Sequence, residues 1–119
     1  MRAFVYGTLK NGYRNHRLLE NSKFVGNGEI KGFALYDLGS FPAIVDSENP
    51  EEIILGELYE IDEPTLASLD HLESEGHLYK RRLVNVAVDG NELDAYVYVF
   101  LRDLRGAKKL EKEWRPNRC

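Results

Sequence analysis

Hydrophobic and polar residues alternate along much of this chain, and the pattern predicts more strands than helices. Period-two alternation or short apolar runs predict strands at residues 3–5, 23–38, 43–45, 53–61, 82–88 and 93–101. Glycines at 26, 28 and 32 interrupt the second of these runs, as at bulges or sharp bends in small barrels. We therefore expect an α+β fold whose twisted sheet curls into a small barrel.

Two short helices are predicted between the strands. The first spans residues 15–20, with Asn15 as its N-cap and the leucines at 18 and 19 facing inward. The second begins at Asp62, which is a good N-cap and is followed by an acidic residue and a proline. It carries leucines three residues apart and should end between Glu73 and Gly76.

Turn residues mark the C-terminal half. Asp89 and Gly90 lie between two alternating apolar segments, which predicts a β-hairpin. The tail, residues 102–119, mixes charges around Trp114; it is either a frayed helix or an extended segment docked by that side chain, and we favour the second. The single cysteine, Cys119, is the last residue, where we expect disorder and no catalytic role.

Composition limits the function classes. The 119 residues predict one domain, 1–119, and 43% hydrophobic with 30% charged residues is typical of an ordinary globular protein. A net charge of −4 argues against a nucleic-acid partner, which needs a clustered basic face. No apolar run is long enough to cross a bilayer, so no membrane partner is expected. The N-terminal residues lack a signal-peptide pattern, so we expect a cytoplasmic protein.

The first candidate site is the segment that follows the first strand, Tyr6-Gly7-Thr8-Leu9-Lys10-Asn11-Gly12. Glycine at a strand end permits a sharp turn and the close approach of another group. Successive N–H groups in such a turn can converge on an anion or an oxyanion, so Gly7, Thr8 and Leu9 are candidates for that cradle. The same spacing also fits a plain exit from a strand, and the pattern does not decide between the two.

The second candidate is Glu73. It lies three residues after Asp70 and near the end of the predicted helix, beside the negative pole of the helix dipole. A partly buried carboxyl in that position, near another acid, should have a raised pKa, which suits a general base and acid at neutral pH. Many helix glutamates are simply solvated, and that alternative stays open.

Metal and nucleotide sites have no support in the sequence. The three histidines, at 16, 71 and 77, have no i,i+4 pair and no cysteine partners, so no metal ligand set is predicted. The chain contains neither a GxGxxG nor a GK[ST] motif. No cofactor is therefore expected.

Several further segments occur in order with the first: Asn15-His16, Gly56-Glu57-Leu58-Tyr59, Leu69-Asp70-His71-Leu72-Glu73, Tyr79-Lys80-Arg81 and Ala95-Tyr96-Val97-Tyr98. Together they resemble the γ-glutamylcyclotransferase-like family, particularly the branch with γ-glutamylamine cyclotransferase and the plant AIG2-like proteins. The resemblance runs from residue 4 to about residue 114. It departs at Ser74, where many relatives carry glycine; serine there is similar to the γ-glutamylamine branch.

The resemblance implies a compact mixed β-barrel with flanking helices and a cavity beside residues 6–9. It implies that the backbone of Tyr6, Gly7, Thr8 and Leu9 holds the γ-glutamyl part of a small substrate, and that Glu73 is the acid/base catalyst. Tyr79 lies six residues past Glu73 and either positions it, lines the cavity or is a core aromatic.

The implied reaction needs no metal, cofactor or covalent nucleophile. The α-amino group of a γ-glutamyl amide attacks its own γ-carbonyl and releases 5-oxoproline and a free amine or amino acid, so the enzyme chiefly holds the substrate curled. A non-enzymatic module that binds a small metabolite or a peptide end in the same cavity is the alternative; a related aminoacyl cyclotransferase is another. The leaving amine and the oligomeric state stay open.

Overall fold

The strands of the computed structural model, which describes residues 1–115, form two sheets. The strands are β1 (Arg2–Val5), β2 (Lys23–Lys31), β3 (Phe33–Asp37), β4 (Pro42–Asp46), β5 (Ile53–Glu60), β6 (Tyr79–Val88), β7 (Asn91–Phe100) and β8 (Lys108–Leu110). Five of them close a barrel in the order β1-β5-β2-β6-β7, and a second sheet has the order β4-β3-β8. The barrel is mixed because β1 pairs with β7 in parallel, whereas the other neighbouring strands of the barrel pair antiparallel. The predicted α+β fold with a small mixed barrel is confirmed.

Glycines set the path of β2. The register against β5 shifts between Phe24 and Gly26, which is the bulge that the sequence predicted. Gly32 has a φ of +86°, in the left-handed region that favours glycine, and there the chain leaves the barrel for the second sheet. The glycine-interrupted strand region predicted at 23–38 is therefore two strands, β2 and β3, which lie in different sheets.

The hairpin between β6 and β7 is tighter and longer than predicted. Asp89 and Gly90 have φ values of +49° and +80°, as a two-residue type I′ turn requires, and the strands pair from Val88 opposite Asn91 to Tyr79 opposite Phe100. β6 begins at residue 79 rather than 82. Consequently Tyr79 lies at the start of a strand, held by its cross-strand neighbour.

The helix α1 (Glu63–Leu72) follows β5 directly. Asp62 caps it as predicted, because its Oδ1 accepts a hydrogen bond from the Thr65 N–H at 2.9 Å. Leu69 is fully buried and anchors the helix in a cluster with Leu19, from the short 3₁₀ helix His16–Leu19, and Tyr79. The end of α1 therefore lies beside the start of β6.

From residue 102 to residue 115 the tail is extended and docked by Trp114, as predicted, and it adds the short strand β8 to β3. Trp114 is 1% exposed, its Nε1–H donates to Asp37 Oδ1 at 3.2 Å, and its carbonyl accepts from the Nζ of buried Lys10 at 2.9 Å. The prediction for Cys119 lies outside the described residues. Within residues 1–115 no helix is long and apolar enough to cross a membrane.

Candidate active site

A cavity of about 150 Å³ opens between the end of β1, the end of α1 and the start of β4. All six residues that the sequence singled out line it: Tyr6, Gly7, Thr8, Leu9, Glu73 and Tyr79. Nine lining residues were not singled out: Phe4, Val5, Arg14, Asn15, Phe41, Pro42, Leu72, Leu78 and Tyr98. The fold thus brings the two candidate segments, 64 or more residues apart in the chain, to one site.

Asn15 holds the loop that follows β1. Its backbone N–H donates to the Thr8 carbonyl at 2.9 Å, and its side-chain Nδ2 donates to Thr8 Oγ1 at 2.8 Å. The predicted N-cap role of Asn15 is wrong, because the side chain makes no capping bond to the 3₁₀ helix. Its amide is turned to the loop instead, and it immobilises Thr8.

Two further side chains tie the same loop to its surroundings. Glu57 Oε1, on β5, accepts from the Asn11 N–H at 2.8 Å and from the Tyr59 hydroxyl at 2.9 Å. The His16 Nδ1 lies 2.9 Å from the Leu9 carbonyl, and since a carbonyl only accepts, this nitrogen carries the proton. Together with Asn15, these two side chains hold the loop in one conformation.

The N–H groups of Gly7, Thr8 and Leu9 remain available to a ligand. Within residues 1–115 none of the three donates to a protein acceptor, although the carbonyls of all three accept hydrogen bonds. Buried N–H groups are nearly always paired, with protein or with another molecule. Thr8 and Leu9 are buried and Gly7 is half-buried, so the loop that lines the cavity contains backbone donors with no protein partner in the described residues.

Tyr79 fixes the opposite wall. Its hydroxyl donates to the carbonyl of Pro42 at 2.7 Å, and its ring packs edge-on against Phe100. Burial raises the pKa of Tyr79, and the charge of Glu73 adds to this rise. Tyr79 thus lines the cavity, holds the start of β4 in place and lies within electrostatic range of Glu73.

Glu73 occupies the C-cap of α1. The chain then ends the helix as a Schellman motif: the Glu75 N–H donates to the Asp70 carbonyl at 3.0 Å and the Ser74 N–H to the His71 carbonyl at 3.2 Å. Ser74 has a φ of +49°, so the position where the family often has glycine is left-handed here. This turn sets the direction in which Glu73 leaves the helix.

Burial raises the pKa of the Glu73 carboxyl to about 7. The predicted direction is confirmed, but the predicted part played by Asp70 is wrong. Asp70 pairs with Arg81 and accepts a hydrogen bond from the Tyr98 hydroxyl at 2.6 Å. In the described part of the chain, the Glu73 carboxylate makes no hydrogen bond, so burial alone keeps it partly protonated at neutrality.

Tyr98 is one of the lining residues that sequence reasoning did not single out. It belongs to β7, lines the cavity, and its carbonyl accepts a hydrogen bond from the Tyr6 hydroxyl at 2.6 Å. The segment 95–98 was part of the resemblance, but nothing local distinguishes Tyr98 from a core aromatic. Only the pairing of β7 with β6 and the position of α1 place its hydroxyl at Asp70.

Residues 3–116 match the family described as gamma-glutamyl cyclotransferase, AIG2-like. A protein of Methanocaldococcus jannaschii is 41% identical over 101 residues, which are 82% of each chain. The Escherichia coli gamma-glutamylcyclotransferase family protein YtfP is 35% identical over 115 residues, 96% of each chain, and its solution structure has a TM-score of 0.71. A mouse AIG2-like protein, 30% identical, has a TM-score of 0.72 over 82% of this chain and 75% of its own.

Proposed function

This chain belongs to the gamma-glutamyl cyclotransferase, AIG2-like family, and from that membership we propose that it is a cofactor-free enzyme that cyclises a small γ-glutamyl amide to 5-oxoproline. The observation that carries the proposal is one cavity with two complementary walls. One wall is a rigid loop with unused N–H donors, and the other is Glu73, whose pKa is raised to about 7.

The reaction needs no atoms beyond those of the substrate. The α-nitrogen forms a bond to the γ-carbon and closes a five-membered ring, and the bond from that carbon to the amide nitrogen breaks. Glu73 takes one proton from the α-ammonium, which frees the lone pair for attack, and delivers it to the departing amine. The ring nitrogen loses a second proton as the lactam forms, and the amine takes it up and leaves as an ammonium. The carboxyl returns to its starting state, and no water is consumed.

The loop supplies binding and charge stabilisation. An oxygen of the substrate, either of the α-carboxylate or of the γ-carbonyl, accepts from the N–H groups of Gly7, Thr8 and Leu9. Because the loop is already held by Asn15 and Glu57, these donors need little reorganisation. Holding both ends of a flexible substrate turns positioning into rate.

The test is release of 5-oxoproline from a panel of γ-glutamyl compounds whose leaving halves are an amino acid, a dipeptide, a lysine side chain or a simple amine. Glu73→Gln keeps the shape of the side chain but cannot carry the proton, and we expect it to lose at least 100-fold in kcat. Glu63→Gln is the matched control, because Glu63 is exposed on the same helix and outside the cavity. An unchanged rate in Glu73→Gln excludes the assigned role.

The same panel separates catalysis from simple binding. A module that only binds a metabolite or a peptide end would show saturable binding of panel members and no 5-oxoproline in the wild type. Turnover on at least one compound, lost in Glu73→Gln and kept in Glu63→Gln, supports the enzyme.

A further inference from the structure

The hydroxyl of Tyr98 can donate one hydrogen bond, and a neighbouring carboxylate accepts it. Tyr98 donates to Asp70 Oδ1 at 2.6 Å, and Asp70 Oδ2 pairs with the Arg81 guanidinium. A carboxylate only accepts hydrogen bonds, so Asp70 fixes the direction of the Tyr98 O–H bond. Arg81 in turn is held by stacking over the ring of Tyr96, 4.9 Å from its centroid. The direction of the hydroxyl is therefore set by a chain of three side chains.

The Tyr98 hydroxyl oxygen can therefore only accept a further hydrogen bond. Within residues 1–115 no donor reaches this oxygen, and Tyr98 lines the cavity that contains Glu73. Burial raises the pKa of Tyr98 and the hydrogen bond to Asp70 raises it further, while the charge of Glu73 makes a smaller contribution in the same direction. Tyr98 and Glu73 thus line the same cavity.

The hydroxyls of the other two tyrosines of the cavity also donate their hydrogen bonds to protein acceptors. Tyr79 donates to the Pro42 carbonyl at 2.7 Å and Tyr6 to the Tyr98 carbonyl at 2.6 Å. None of the three hydroxyls has a proton left to donate to a ligand. The side of the cavity around Glu73 therefore presents acceptors, whereas the loop of Gly7, Thr8 and Leu9 presents donors.

We propose that the Tyr98 hydroxyl oxygen, oriented by Asp70 and Arg81, accepts a hydrogen bond from the α-ammonium of the γ-glutamyl group beside Glu73. This inference rests on the proposed function and extends it: it orients the substrate, with its nitrogen toward Tyr98 and Glu73 and its oxygens toward the loop. Tyr98 is a binding residue, and Asp70 and Arg81 are positioning residues.

The test compares two small probes that differ only in the ammonium. L-Glutamine is the smallest γ-glutamyl amide, and glutaramic acid is the same molecule with hydrogen in place of the α-ammonium. Calorimetry measures the affinity of each for the wild type, Tyr98→Phe, Asp70→Asn and Tyr36→Phe, and the same samples are assayed for 5-oxoproline. Tyr36→Phe is the matched control, because it removes a tyrosine hydroxyl on β3 that lies outside the cavity.

We expect Tyr98→Phe to lose about ten- to a hundredfold in affinity for L-glutamine, as for a hydrogen bond to a charged group, and less than twofold for glutaramic acid. Asp70→Asn, whose amide can also donate, lets the hydroxyl turn and should show a smaller loss with the same selectivity. Tyr36→Phe should change neither affinity more than twofold.

If Tyr98→Phe loses the same affinity for both probes, the role of Tyr98 is merely structural and the inference is overturned. It is also overturned if the wild type does not bind L-glutamine more tightly than glutaramic acid. If neither probe binds the wild type, the inference falls together with the proposed site. If both probes bind but no γ-glutamyl compound yields 5-oxoproline, the proposed catalysis fails, and the ratio of the two affinities still decides the inference.

Discussion

The ring of Pro42 lies directly against the backbone of Gly7: a Cβ at residue 7 would come within 2.7 Å of Pro42 Cγ and 2.8 Å of Cδ. The glycine is required by this close approach and not by an unusual φ, since Gly7 is not among the residues with positive φ. The contact joins the loop after β1 to the first residue of β4, the two segments that face each other across the cavity.

Gly7→Ala should therefore displace the loop or β4. We expect a loss of about 1–3 kcal/mol in the free energy of unfolding, as for other overpacking substitutions, and a larger proportional loss in kcat/KM, because small displacements of positioning groups are costly. Urea denaturation and the 5-oxoproline assay measure the two effects. Replacing Pro42 by alanine makes room for the new methyl group, so Gly7→Ala should cost less stability in the Pro42→Ala variant than in the wild type. An equal cost in both would contradict this explanation.

Replacing Glu73 should make the folded state more stable at high pH. In the unfolded chain the carboxyl ionises near its ordinary pKa of 4.5, whereas in the folded protein burial raises the pKa to about 7. Ionisation therefore favours the unfolded state, and stability is lost as the pH rises from 4.5 through 7. Glu73→Gln should gain about 2 kcal/mol over the wild type at pH 8, allowing for partial exposure.

That gain should shrink toward zero at pH 4, where both states of the wild type are protonated. Urea denaturation at the two pH values measures the difference, and Glu63→Gln, whose side chain is exposed on the same helix, is the control. A difference between Glu73→Gln and the wild type that does not vary with pH would mean that Glu73 is not buried as the structure has it.

The pH dependence of the reaction follows from the same pKa. Glu73 acts first as a base, so only its ionised form begins the reaction. We expect kcat/KM to rise about tenfold per pH unit below pH 6 and to level off above the pKa of about 7. Initial rates between pH 5 and 8.5 measure the profile. If kcat/KM instead rises with a midpoint near pH 4.5, an exposed carboxyl and not Glu73 transfers the proton.

Ser74→Gly should stabilise the end of α1. Ser74 adopts a φ of +49°, which costs an L-residue roughly 1–2 kcal/mol, and glycine avoids most of this cost at some loss of chain entropy. The expected gain in unfolding free energy is about 0.5–1 kcal/mol. Ser68→Gly, inside α1, is the matched control and should instead lose about 0.5 kcal/mol. A loss at both positions would show that the Ser74 conformation carries no strain.

Trp114→Ala should destabilise the whole domain, since the side chain is fully buried against Tyr13 and bonded to Asp37. Loss of a buried aromatic of this size costs about 3–5 kcal/mol. Phe24→Ala, at a phenylalanine that is 50% exposed, should cost no more than about 1 kcal/mol. Thermal denaturation of both variants measures the difference, and equal melting temperatures would mean that the tail is not part of the core.

The sequence pattern predicted the helix and the hairpin correctly, because neighbouring residues determine both. Asp62 and the leucines after it predict α1 because capping and helical spacing act within a few residues, and Asp89-Gly90 predicts the hairpin because only certain residues adopt its φ values. The split of residues 23–38 between two sheets was missed. Its cause is the closure of the barrel, in which β2 pairs with β5 and β6, and the alternation along one segment does not record that pairing.

The same division applies to the site. The sequence by itself determined the candidates: a glycine after a strand, a glutamate at a helix end and the order of motifs that the family shares. Only the tertiary structure decided that Glu73 is half-buried in a shared cavity, that Asp70 pairs with Arg81 instead of acting on Glu73, and that Tyr98 belongs to the site. The reason is physical: desolvation and hydrogen-bond direction depend on every element packed around a group, and those elements come from distant parts of the chain.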